Sequence, residues 1–85
     1  MEHSDRTAEV THAVCEWLAN DQAAYKNAMI YGATRDTYNL HRFIIRTVLG
    51  ANTGTPAHHL RQQVSQADLD YRIDLKAVID YVWET

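Results

Sequence analysis

One cysteine, one proline and three glycines are spread over 85 residues, and each scarcity excludes something. A lone Cys15 cannot close an internal disulfide, so no cystine framework holds this chain, and a reducing, cytoplasmic setting is expected. There is no phosphate-cradling loop: Gly50 and Gly54 in 50-GANTGTP-56 lack the Lys-Ser/Thr that completes one. No run of about 18 apolar residues occurs, so neither a transmembrane helix nor a membrane partner is expected. The start, MEHSDRTAEV, lacks the basic and apolar regions of a secretory signal. No segment alternates apolar and polar residues over the length of a strand.

What remains is globular composition, 46% hydrophobic and 22% charged. The length fits a single helical domain over residues 1–85, with a thin margin of stability. Apolar residues recur at helical spacing. Ser4 or Asp5 caps a first helix whose inner face is Val10, Ala13, Val14, Trp17 and Leu18. In 17-WLANDQAAY-25, Asn20 closes that helix in the left-handed conformation and Asp21 caps the next. The second helix runs from about Gln22 to Tyr31, with Ala24, Tyr25, Ala28 and Met29 inward and Gly32 as its stop. Thr34 caps a third, about Arg35 to Leu49, with Leu40, Phe43, Ile44, Thr47 and Val48 inward. Ile45 and Leu49 widen its apolar stripe, which makes it the expected most buried helix. Thr55-Pro56 opens a short helix to about Val64. Ser65 or Asp68 then restarts the chain toward a last helix bearing Tyr71, Leu75, Val78, Ile79 and Val82. The expectation is an all-α, compact single-domain bundle of four to five short helices.

Charge is unevenly placed within a net of -3. Residues 1–20 carry Glu2, Asp5, Glu9 and Glu16 against Arg6, a net of -3. Residues 21–64 carry Lys26, Arg35, Arg42, Arg46 and Arg61 against Asp21 and Asp36, a net of +3. Residues 65–85 return to -3, with Asp68, Asp70, Asp74, Asp80 and Glu84 against Arg72 and Lys76. The expectation is that these segments neutralise one another in the fold; the alternative is a charged face that meets a partner.

Candidate chemistry is sparse. His12, Cys15 and Glu16 share one helical face at i, i+3 and i+4, but a zinc site needs a fourth ligand at recognisable spacing. Neighbouring side chains of His58-His59 diverge on a helix. Cys15 has no scaffold that resembles a cysteine hydrolase around it. The aspartates of 68-DLDYRIDLKAVIDYVWE-84 lack the alternation and central glycine of a calcium loop. No catalytic residue, cofactor or metal is therefore assigned.

Two surfaces remain as candidates. The acidic one is Asp70, Asp74, Asp80 and Glu84, which could dock a protein by imitating nucleic-acid phosphates. The basic one is Arg35, Asn39, Arg42 and Arg46, with Ala28 and Gly32 at the A-x-x-x-G spacing of a helix-turn-helix. The acidic pI near 5.9 argues against nucleic acid as the first choice of partner. A third arrangement is a homodimer joined through Trp83, Tyr81 and Ile45.

Two stretches carry a family likeness. The first is Thr11, Val14, Trp17-Leu18, Asn20-Asp21 and Tyr25; the second is Leu69-Asp70-Tyr71 with Asp74 and Ile79. They resemble a widespread group of short helical proteins of bacteriophages and other mobile elements, with a TWNVxxWLxND start and an LDYxxLD finish. This chain departs from the group at His12-Ala13, where Trp-Asn is usual, and at Ile73, where Leu is usual. The resemblance covers both ends and not the middle. It implies a phage or mobile-element origin, an all-helical fold and no assigned enzymatic chemistry. It also implies that Trp17, Asn20, Asp21, Leu69 and Tyr71 serve the fold. By analogy the expected work is binding of a host protein or protein complex in the host cytoplasm, as an anti-CRISPR or anti-restriction inhibitor.

Overall fold

The computed structural model describes residues 2–84, with side-chain surroundings for residues 6–84. Six helices follow one another: α1 (Glu2–Asn20), α2 (Gln22–Ala33), α3 (Thr37–Leu49), α4 (Pro56–Gln63), α5 (Gln66–Tyr71) and α6 (Leu75–Glu84). Among the described residues there is no strand, so the fold is all-α. The count exceeds the expected four to five because the C-terminal segment breaks between Tyr71 and Leu75. Asp74 causes the break: its Oδ1 accepts from the Ala77 N–H at 3.1 Å, an N-cap contact that starts a new helix. Its own N–H donates to Thr11 Oγ1 at 2.9 Å. No helix among the described residues is long and apolar enough to cross a membrane.

Side-chain oxygens also cap the starts of α2, α3, α4 and α5. Asp21 Oδ1 accepts from Ala24 N at 3.1 Å, and its Oδ2 accepts from the Trp17 indole at 3.2 Å. Thr55 caps α4 through the His58 N–H, with Pro56 in the first turn. Ser65 and Asp68 form a reciprocal capping box on α5. Three expected ends move. Backbone helix begins at Glu2, so Ser4 and Asp5 lie inside α1. Asn20 stays helical and donates to Glu16 O, so it is not the left-handed residue. Asp36, not Thr34, caps α3, because its carboxylate reaches the Asn39 N–H at 3.1 Å; Thr34 instead closes α2. The left-handed residue of that turn is Arg35, with φ 53°.

α1 and α3 each pack against α2, α4, α5 and α6. Val10, Val14, Trp17 and Leu18 of α1 meet Leu40, Ile44 and Val48 of α3 in one buried cluster, which Leu60, Leu69, Val78, Ile79 and Val82 complete. Trp17 stacks on Phe43 with ring centroids 6.2 Å apart. Among the described residues, α1 buries more side chains than α3: Thr11 and Cys15 also turn inward, whereas Leu49 is 39% exposed. α2 presents Ala24, Ala28 and Gly32, a stripe of small residues that lets α6 approach closely.

Candidate functional site

The carboxylates of the C-terminal region separate into different jobs. Asp68 is buried beneath α1, its side chain held by Arg6 and by Arg72 Nη1 at 3.1 Å. The Arg6 hydrogen bonds hold its carboxyl well below the usual range, against the opposing cost of burial. Asp74 is occupied in capping α6. Asp70 is half-buried on α5, so the break removes it from the helix that it was expected to share with Asp74. Asp80 and Glu84 stay together, one turn apart on α6. With Gly32, Ala33, Arg35, Ile79 and Trp83 they line a groove of about 420 Å³. The four acidic candidates therefore do not form one surface.

The basic residues fare differently. Arg35, Arg42 and Arg46 are all exposed. Arg42 donates to the Tyr38 hydroxyl at 3.1 Å, with its guanidinium 5.6 Å from the ring centroid. Asn39 is exposed but committed to the α3 cap: its Nδ2 donates to Asp36 Oδ2 at 2.7 Å. On the outer face of α3, Tyr38, Arg42 and Leu49 recur at i, i+4 and i+11, with Arg46 beside them and Ile45 half-buried against the core at the edge of the stripe. Tyr38 is 66% exposed. Among the described residues the ion pairs are Arg6–Glu9, Arg6–Asp68 and Arg72–Asp68, and His12 lies 3.6 Å from Glu16, a pair that is ionic only when the imidazole is protonated. None involves residues 21–64. Among the described residues, the expected neutralisation of the basic middle by the acidic ends does not occur through direct pairing.

The A-x-x-x-G spacing of Ala28 and Gly32 has a packing explanation. Helix α2 continues past Gly32 to Ala33, so the turn lies two residues later than a helix-turn-helix places it. A Cβ on Gly32 would stand 2.8 Å from Trp83 Nε1 and 3.3 Å from Ile79 Cγ2. The glycine is thus a seat for the Trp83 indole, whose N–H donates to Met29 O at 3.2 Å.

The His12, Cys15 and Glu16 trio diverges. His12 and Glu16 pair at 3.6 Å on the exposed side, while Cys15 is buried, which pushes its thiol up to about 11. Among the described residues no three His, Cys, Asp or Glu side chains converge as a metal-holding group. A second groove, of about 490 Å³ between α1 and α4, has Trp17, Pro56 and Leu60 with Glu16 and His59 in its lining.

The homodimer candidates also part company. Trp83 lines the groove beside Gly32, Tyr81 lines another beside Leu18 and Tyr25, and Ile45 lies on α3. Tyr71, expected to serve the fold, is 83% exposed, because α5 ends at it and turns its side chain away from the core. Sequence reasoning missed the Arg6–Asp68 pair, the Gly32–Trp83 contact and the outward turn of Leu49. The only available signal for the last was its place on the same stripe as Tyr38 and Arg42. No protein-family model, curated protein or solved structure matches this chain.

Proposed function

We propose that this chain is a non-catalytic binding protein that docks on a partner protein through the outer face of α3. One observation carries the reading: among the described residues the basic middle of the chain is left without ion-pair partners, and Arg42 and Arg46 flank exposed Tyr38 and Leu49 on that face. Tyrosine and arginine beside apolar neighbours are the residues that most often dominate binding energy at protein interfaces. Exposed Leu49 favours a protein over nucleic acid, because an aliphatic side chain cannot hydrogen-bond a phosphate. The resemblance to phage and mobile-element proteins supports a host assembly as the partner. By the same analogy the outcome is inhibition of a host defence system, of the anti-CRISPR or anti-restriction kind.

The test is affinity capture from host lysate with the native chain and with Arg42→Glu/Arg46→Glu, each with and without nuclease. The expected result is one protein assembly that survives nuclease and is lost with the double variant. Nucleic acid retained only without nuclease would replace this reading with a DNA-binding one through Arg35, Asn39, Arg42 and Arg46. Equal capture by both proteins would remove the α3 face from the account.

A further inference from the structure

We infer that the Trp83 groove is a self-association surface, in which Arg35 of one copy meets Asp80 and Glu84 of a second copy across a two-fold axis. Arg35, Asp80 and Glu84 line the same groove of about 420 Å³. Among the described residues, none of the three makes an ion pair within its own chain. Opposite charges therefore line one groove, without an ion pair between them, around an indole that is 52% exposed. The indole does not swing freely: Gly32 seats it and Met29 O holds its N–H.

The mixture of signs selects the occupant. A basic ligand is repelled by Arg35, and an acidic one by Asp80 and Glu84. A second copy turned through a two-fold rotation offers carboxylates to the arginine and an arginine to the carboxylates. This is the reciprocal pairing of an isologous interface. The two indoles then cover one another near the axis, and aromatic residues ringed by polar ones form the centre of such contacts. A small chain with a thin margin of stability also gains by burying a half-exposed tryptophan. The surface is distinct from Arg42, Arg46 and Leu49, so it does not depend on the proposed function.

The test is sedimentation of the full chain across a wide concentration range. The native mass should rise from 9.8 kDa toward twice that value as concentration increases. Arg35→Glu alone and Asp80→Lys/Glu84→Lys alone should each weaken association at least about tenfold, because like charges then face each other. An equimolar mixture of the two variants should associate again, since both halves of the mixed interface are complementary. That rescue also shows that each variant is folded. A native chain that stays monomeric at the highest concentration overturns the proposal. So does undiminished association of Arg35→Glu, or a mixture that fails to associate although both variants retain native helicity.

Discussion

At the scale of single residues, Gly32 is the position where one atom decides the most. The α2 backbone there is ordinary helix, and alanine has the better helix propensity by about 1 kcal/mol. Space reverses that preference. An added Cβ meets the Trp83 ring at 2.8 and 3.0 Å and Ile79 at 3.3 Å. Ile79 is buried and cannot retreat, so the indole must move, which breaks its hydrogen bond to Met29 O. The loss of that bond and of ring contact outweighs the propensity gain. Gly32→Ala is therefore expected to lower stability by about 1 kcal/mol despite the better helix former. Its Trp emission should shift to longer wavelength as Trp83 enters water. Unchanged emission and raised stability would show that the groove has room for the methyl group.

At the scale of helices, Thr11 has a role set by distant sequence. It lies on the buried side of α1, and its hydroxyl accepts the Asp74 N–H, 63 residues away. That N–H belongs to the residue that starts α6 and has no helical partner of its own. Thr11→Val keeps shape and removes the acceptor, so a backbone donor is stranded in a part-buried site. The expected cost is about 1–2 kcal/mol, or roughly 5–10 °C in Tm, with Thr11→Ser recovering much of it. Thermal melts of the two variants check this; equal Tm values would mean that water replaces the hydroxyl. Thr11 also shows where the sequence is legible and where it is not. The caps at Asp21, Thr55 and Ser65 and the stripes Val10-Val14-Leu18, Leu40-Ile44-Val48 and Val78-Ile79-Val82 follow from local chemistry and helical period. The α5–α6 break and the Arg6–Asp68 pair depend on contacts more than 60 residues apart, which no local rule encodes. The candidate site divides in the same way. Its arginines and carboxylates are visible as residue types, but which of them the fold uses internally depends on tertiary placement. Asp74 is consumed by a cap and Asp68 by two arginines, while Arg42 and Arg46 keep their charge for the surface.

At the scale of the whole molecule, acid tolerance hinges on Asp68. Asp68 is 3% exposed, and its carboxylate accepts from Arg6 and Arg72 and completes the α5 capping box through the Ser65 N–H. Those bonds to the charged form lower its proton affinity from the ordinary 3.8. A depressed folded-state pKa means that the native chain binds fewer protons than the unfolded chain below about pH 4. The stabilisation is then complete above about pH 4 and is lost progressively as pH falls toward the folded-state value. Asp36, lowered by its bonds to Asn39, has the same sign, but it lies at the solvent-facing start of α3 and is screened. Asp68→Asn keeps the shape but leaves Arg6 and Arg72 without their anion. Both arginines are partly in water, so the cost at neutral pH is expected near the low end for a broken buried pair, about 2 kcal/mol. The diagnostic result is the slope. Between about pH 4 and pH 2 the native chain should lose stability more steeply than Asp68→Asn, and the two melting curves should converge toward acid. Parallel curves over that range would assign the acid sensitivity to other carboxylates and leave Asp68 with only its capping role.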